Sequence, residues 1–399
     1  MNGGERLVVV AGAGPHALTA CAYLADGDAS LLDRLVVVDP DGWLVRWNCK
    51  LEALGIEWLR SSCVHHPDPD PFALVNAAFT SPEHVRGPYK TPSRVFFGRF
   101  CSGLLESLGL GLRLVRDRVV ALQPCADGVG VQLGSGRVLD ASRVVMATNP
   151  RRDHIPAFAA SALSDGARGV IAHSSDVDLS AASVAGRRVA VVGAGLTAVQ
   201  LAVGAATGGA QVALFTRRRL HARTFDVTAG WMTYKLEAFV GVDDALARRR
   251  AVRAARGRGT APAEDLALLG SGVRQGRIQV CEQTAVEAVA VVGDGVVVQT
   301  SAGRMAFDHL WLATGSRADV DRDPALRGLQ ASRPVALAGD LPVLDAHCRW
   351  PGTEIHLMGE LSALQTGPLA PNLAGARICA ERIAAAAGRP PRQYPVRTG

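Results

Sequence analysis

The chain has 399 residues, enough for two domains with full cores. Apolar residues make up 48% and charged residues 20%, which excludes extensive disorder, and no run approaches the roughly 18 uncharged apolar residues that a membrane span needs. The net charge of +6 is modest, and the arginines of RRRAVRAARGR at 248–258 that carry much of it have no interleaved aromatic residues, so a solvated helix face or an excursion is expected there rather than a nucleic-acid surface.

In chain order, the first element is an apolar strand that runs, in VVVAGAGPHALTA at 8–20, into Gly12-x-Gly14-x-x-Ala17 and an alanine-rich helix. The strand begins within a few residues of Met1, no leader is read ahead of it, and a cytoplasmic address is the expectation. In such a turn the first glycine permits the bend, the second lets backbone approach a pyrophosphate, and the small third residue lets helix and strand pack. Pro15 and His16 fall inside the turn and are counted with it as cofactor-binding. The helix N-terminus offers free N–H groups and a partial positive charge to phosphates. The next strand, LVVVDP, ends at Asp39, an acid placed to accept hydrogen bonds from a ribose diol, which suits FAD or NAD.

Between Asp39 and Thr91 lie Trp43, Trp47 and Trp58, then LRSSCVHHPDPDPF from Leu59 to Phe72. The tryptophans suit either stacking on a flavin ring or plain core; Trp47 is counted with the cofactor residues. Arg60, with Ser61 and Ser62, is a candidate for the flavin pyrimidine edge or phosphates. His65 and His66 open a rigid polar loop of alternating prolines. A metal reading of this loop is disfavoured because no second ligand cluster accompanies it, so no metal site is assigned. The eight cysteines form no CxxC or CxxxxC pair, which argues against a redox-active dithiol.

A β-rich stretch follows, with Val119 near its start counted as cofactor-binding, and VGVQLGSGRVLDASRVVMAT closes it at 129–148. His173 lies in AHSSDV at 172–177, ahead of a second glycine turn, VAVVGAGLTAVQLA at 189–202. Here Gly193, Gly195 and Ala198 take the three places, with Thr197 in the first helical turn. The strand after it ends in Thr216-Arg217-Arg218-Arg219 instead of an acid. Guanidinium groups hold a 2′-phosphate that a carboxylate would repel, so the second turn reads as an NADPH site, the alternative being a solvated strand end. VVVQTSAGRMAFDHLWLAT at 296–314 then repeats the rhythm of 129–148. Two copies of glycine turn, meander and closing strand predict an α/β chain with two Rossmann-like dinucleotide-binding domains, the NADPH domain inserted into the FAD domain. The expected boundaries are 1–164 with 309–399 for FAD and 165–308 for NAD(P)H, with the reaction site in the cleft between them. Gly315 in LATG, Gly359 and Glu360 in IHLMGE, and Asn372 before the final helix complete the candidate set; Asn372 reads equally as a plain N-cap.

These motifs, GAGPHA, GAGLTA, LATG and IHLMGE, cover most of the chain and resemble the flavin-dependent monooxygenases with two dinucleotide-binding domains. TPSRVFFGRFCSGL at 91–104 and His-Ser-Ser at 173–175 are similar to segments of the N-hydroxylating amine monooxygenases, the ornithine and lysine hydroxylases. The long substrate-recognition segments of that group are not evident here, and the FxGxxxHxxxW pattern of flavin monooxygenases is absent. The resemblance implies an enzyme that uses FAD, NADPH and O2 to hydroxylate a small amine through a C4a-(hydro)peroxyflavin, with the flavin at the start of the final helix beside Asn372. It points to no membrane and no nucleic-acid partner, and leaves self-association open. His65, His66 and His173 are the candidates for a base that would keep an amine unprotonated. Baeyer–Villiger or sulfur oxygenation, electron transfer from NAD(P)H to an acceptor without oxygen insertion, and a non-catalytic nucleotide sensor are the alternative readings.

Overall fold

The computed structural model describes residues 6–26, 28–164, 169–257 and 259–388. Among these, seven strands form the first sheet. Its parallel part runs Leu114–Val115, Leu35–Val38, Leu7–Ala11, Val138–Met146, Ile355–Leu357. Val8, Val9 and Val10 are buried on both faces of this sheet, which is why the strand reads as a continuous apolar run rather than an alternation. The long strand Val138–Met146 serves twice. Its C-terminal half pairs parallel with Leu7–Ala11, while Val138–Ala141 pairs antiparallel with Gly128–Leu133 in a meander that continues to Val119–Cys125. The first-turn helix Pro15–Ala25 and the final helix Leu373–Ala386 pack against each other. Gly375 lets the final helix start close against the turn that precedes it, since a Cβ there would stand 2.1 Å from the Leu369 carbonyl oxygen.

The second sheet is parallel and five-stranded, in the order Ile171–His173, His309–Leu312, Arg188–Val192, Gln211–Phe215, Ile278–Cys281. A separate antiparallel meander, Val286–Val292, Gly295–Thr300 and Gly303–Phe307, stands before its closing strand. The chain thus repeats one plan, and the second copy lies in sequence between strands of the first sheet.

One expectation is corrected. The strand His309–Leu312 does not resume the first sheet; Val189 to Val192 pair with His309 to Leu312 in the second. Each glycine-turn strand needs its own closing strand as a parallel neighbour, and the chain returns to the first unit only afterwards. At the return, Ser316–Ala318 pairs antiparallel with Arg151–Asp153, so the two connections cross side by side. The N-terminal boundary expected at 164/165 falls at residues 165–168, which lie outside the described residues.

The arginine-rich stretch is an excursion and a solvated face only in part: Arg250 and Arg253 are exposed, whereas Arg248, Arg249 and Arg256 are half-buried. After Phe215 the chain leaves the second sheet as a helical arm containing Tyr234–Val240 and Ala245–Arg256, and an isolated bridge between Ala222 and Ala261 joins the arm's two roots. Phe239 and Val252 are buried in the core of the first unit. Arg248 donates to the carbonyls of Val240, Leu364 and Val242 and to Gln365. Arg249 pairs with Asp340 at 2.5 Å, and Arg256 donates to Pro368 O at 2.9 Å. Three arginines therefore clamp the arm onto the C-terminal segment of the first unit, and Asp340 is spent in that clamp. Arg258, the last arginine of the stretch, lies outside the described residues.

Candidate active site

A single cavity of about 1440 Å3 runs between the two units, larger than the roughly 300–1,000 Å3 of an ordinary small-molecule pocket. One end is the first glycine turn. Gly12 has φ +100, its N–H donates to Val38 O at 2.8 Å, and a Cβ there would stand 2.8 Å from Ala147 O. Nothing lies within 4 Å of a Cβ placed on Gly14, so the face that a pyrophosphate would approach is open. Ala17 is fully buried beneath the turn. Asp39 accepts from Ala13 N at 3.0 Å through one oxygen, and from the N–H groups of Asp41 and Gly42, both at 2.9 Å, through the other. The carboxylate thus shapes the turn while lining the cavity with Pro15, His16, Trp47 and Val119. His16 faces Ala370 O at 3.2 Å, and burial pushes its pKa down. Trp47 packs against Phe97 at 5.4 Å, whereas Trp43 and Trp58 are structural: Trp43 bonds Leu110 O and Trp58 lies under Arg86.

The far wall of the first unit is Gly359, Leu369, Pro371 and Asn372. Asn372 holds the N-cap position of the final helix in extended conformation, with no capping bond from its side chain. Glu360 does not line the cavity; it pairs with Arg151 at 2.7 Å on the crossing connection.

The second turn differs from the first. Gly193 is required by packing, since a Cβ there would stand 2.4 Å from Ala313 O and 3.0 Å from Ala198 Cβ. The face of Gly195, however, is covered. A Cβ on Gly259 would stand 2.8 Å from Gly195 Cα and 2.9 Å from Gly195 N, so the root of the arm rides on the second turn. Of this turn only Thr197 lines the cavity. Thr216 is buried and its hydroxyl donates to Arg218 O at 2.8 Å, closing its own bend. Arg217 and Arg219 are exposed beyond it, with Arg218 half-buried between them.

The three histidines separate. His66 is fully buried, does not line the cavity, faces Pro71 O at 3.2 Å, and meets Phe100 edge-on at 5.2 Å. His173 is 5% exposed. Its Nε2 faces Gly315 O at 3.1 Å, and its Nδ1 faces Ser175 Oγ at 2.9 Å and Asp153 at 3.2 Å. It ties the two connections together rather than offering a nitrogen to a substrate. His65 alone is placed as a candidate requires. It is half-buried, lines the cavity, and points Nε2 at Met232 Sδ of the arm, 3.1 Å away. Burial and the nearby Arg377 push its pKa down to about 4, so the ring is neutral at physiological pH.

Arg60 lines the cavity but has nothing left to give a flavin. Its Nε donates to Thr224 O at 2.9 Å, Nη1 to Asp226 and to Thr260 O at 3.2 Å, and Nη2 to Arg223 O at 2.7 Å and Thr260 Oγ1 at 2.9 Å. Sequence reasoning missed Lys50, whose ammonium donates to Ser174 O and Ser175 O at 2.6 and 2.9 Å across the cleft. It also missed Phe225, Val227 and Met232, because an arm that folds back on the first unit leaves no local signal.

The pyridine nucleotide-disulphide oxidoreductase family model matches residues 6–259, more than half of the chain. The chain belongs to that family. All eight of its cysteines are free thiols. No curated protein matches it. Among solved structures, it is similar to the ornithine N-hydroxylase of a Kutzneria species bound to reduced FAD, NADP+ and L-ornithine, at 18% identity over 97% of this chain and 99% of that one, with a TM-score of 0.75. It is also similar to the FAD-bound cadaverine monooxygenase of Erwinia amylovora, at 18% identity over 96% and 94%, TM-score 0.75. The bacillithiol disulfide reductase of Bacillus cereus is similar at 15% identity over 96% and 98%, TM-score 0.61. At these identities the likeness is one of fold, and it agrees with the two-unit α/β plan read from the repeats.

Proposed function

We propose that the chain is an FAD- and NADPH-dependent monooxygenase that hydroxylates a small amine. The observation that carries the reading is the continuity of the cavity from the open first turn, past the N-terminus of the final helix, to His65 and the arm. The first turn would hold FAD: Gly12 lets the turn close against Ala147 and Gly14 leaves its outer face open, Asp39 and Val119 would hold the ribose end, and Asn372 with the N–H groups at the start of the final helix would hold the ring end. NADPH fits the second turn through Thr197 and the exposed Arg217 and Arg219, provided that Gly259 moves off Gly195. When bound, the flavin accepts hydride from the nicotinamide and activates dioxygen.

The chain's own residues do the rest. Leu369 and Val227, both buried, wall the flavin end from solvent, which suppresses wasteful reaction with water. The neutral His65 ring accepts a hydrogen bond from the amine N–H and so orients the nitrogen. Burial against the apolar wall disfavours the ammonium, whose proton passes to solvent before the amine is enclosed. Lys50, Arg151 and His173 hold the two units at a fixed separation through their bonds to the crossing connections.

Rapid mixing tests the reading. The protein is reduced anaerobically with NADPH and mixed with oxygenated buffer while flavin absorbance is followed. A transient flavin species that persists between the reduced and oxidised spectra, with hydroxylated amine as product, is expected. Direct return to oxidised flavin with stoichiometric hydrogen peroxide, and turnover raised by an added electron acceptor, would instead favour the NAD(P)H-acceptor oxidoreductase that the wider family permits.

A further inference from the structure

The two glycine turns follow one plan, yet only the first is open. A Cβ on Gly14 would meet nothing within 4 Å, whereas the backbone of Gly259 lies across Gly195, its Cα 3.6 Å from the place a Cβ there would take. From the other side, a Cβ on Gly259 would stand 2.8 Å from Gly195 Cα and 2.9 Å from Gly195 N. The second glycine of such a turn is the one whose bareness lets a pyrophosphate approach the backbone. Gly259 therefore sits where the phosphates of a nucleotide would lie.

A side chain of the other unit holds it there. Arg60, in the loop that follows the helix Val45–Ala53 of the first unit, lines the cavity. Its Nη1 donates to Thr260 O at 3.2 Å and its Nη2 to Thr260 Oγ1 at 2.9 Å, one residue beyond Gly259. Its bonds to Arg223 O, Thr224 O and Asp226 grip the other root of the arm. The two roots are tied to each other as well, Arg223 N donating to Ala261 O at 2.9 Å and Ala261 N to His221 O at 3.2 Å. One guanidinium thus fastens both roots of the arm through charge-assisted bonds, and one of those roots covers the phosphate-binding turn of the second unit.

Resting on the reading of the second turn as the NADPH site, we propose that Gly259 and Thr260 form a lid on that turn and that Arg60 is its latch, so that nucleotide binds only when the latch gives. The apparent affinity for nucleotide is then the intrinsic affinity reduced by the fraction of molecules whose lid is open. Arg60 is a positioning residue in this scheme: it acts on the nucleotide through Thr260. Weakening the closed lid should therefore tighten nucleotide binding, whereas loss of a purely structural contact would leave it unchanged or weaken it.

Two variants outside the flavin unit test this. Gly259 does not take a left-handed φ, so in Gly259→Ala the new Cβ conflicts with Gly195, and that conflict exists only in the closed lid. Thr260→Val removes the Oγ1 acceptor and leaves an Nη2 N–H of Arg60 unmatched in the closed state. NADP+ and NAD+ are titrated calorimetrically into the oxidised, FAD-loaded parent and both variants. Each variant is expected to bind NADP+ about fivefold more tightly than the parent. NAD+ should gain by the same factor, because the lid covers the pyrophosphate seat that the two nucleotides share. Equal or weaker binding in Gly259→Ala, or a gain confined to NADP+, would overturn the lid. A gain in Gly259→Ala with none in Thr260→Val would overturn Arg60 as its latch, and no binding of either nucleotide to any of the three proteins would overturn the lid together with the NADPH reading. The titrations involve no oxygen chemistry, so rapid mixing on the same preparations separates the claims. Tighter binding without a flavin transient removes the oxygenase reading alone, and a transient with unchanged nucleotide affinities removes the lid alone.

Discussion

Acid should destabilise this protein through two buried histidines, and the structure fixes both sign and size. His66 and His356 are each fully buried. His66 faces Pro71 O through Nε2 at 3.2 Å, and His356 faces His347 O through Nδ1 at 3.0 Å. The second ring nitrogen of each, Nδ1 of His66 and Nε2 of His356, has no hydrogen-bond partner among the described residues. Protonation would leave a buried N–H+ without an acceptor, and burial accordingly pushes both pKa values from 6.5 down to about 4. A depressed histidine pKa means that the unfolded chain takes up protons that the fold refuses. The stability present above pH 6.5 is therefore lost as pH falls towards 4. Each histidine costs about 3 kcal/mol across that window, and about 2 kcal/mol of it is gone by pH 5, before most carboxylates titrate. Urea midpoints at pH 7, 6 and 5 measure this in the parent and in a His66→Gln, His356→Asn variant, which keeps one donor at each position and cannot titrate. The variant should lose about 4 kcal/mol less than the parent between pH 7 and 5. Parallel loss in the two proteins would refute the assignment of neutral, half-satisfied rings.

Other consequences follow from the glycine turns and the arm. Gly12→Ala puts a Cβ 2.8 Å from Ala147 O at φ +100, a conflict worth about 1–3 kcal/mol in backbone strain alone, so the purified variant should lose bound flavin, read as the ratio of visible to ultraviolet absorbance; full retention would contradict the account. Arg217→Gln with Arg219→Gln should weaken NADPH about tenfold while leaving NADH within about twofold, measured as the dependence of flavin reduction rate on nucleotide concentration. Hydrogen exchange at Gly259 to Ala261 should speed up when NADP+ binds, because the segment must leave Gly195. Arg249→Met breaks the half-buried pair with Asp340 and should lower unfolding free energy by about 1–3 kcal/mol in urea.

The parts of the fold that are legible in the sequence are those set by local rules. Gly12 and Gly193 announce strand-to-helix turns because each must lie against a closing strand, at Ala147 O and Ala313 O. The repeat of meander and closing strand gives the two units, yet the boundary between them was misplaced, because sequence adjacency of His309–Leu312 to the return says nothing about which sheet it pairs with. The arm was invisible for a different reason. Its arginines carry the composition of a solvated helix, and only the docked positions of Leu364, Gln365, Pro368 and Asp340 reveal where they are spent. Among the candidate site residues, Gly12, Gly14, Pro15 and His16 of the first turn line the cavity. Arg60, His66, His173 and Glu360 were singled out for chemistry by residue type, while the structure gives each of them protein partners.

The central claim is that this cavity couples nicotinamide oxidation to oxygen insertion into an amine. The most direct measurement is the yield of hydroxylamine per NADPH consumed, in air, with pentylamine as substrate and with peroxide assayed in parallel. The account predicts a hydroxylamine yield close to the NADPH consumed, falling in a His65→Ala variant as peroxide rises to replace it. Steady NADPH consumption with peroxide as the sole oxygen product, in the presence of amines that bind, would contradict it.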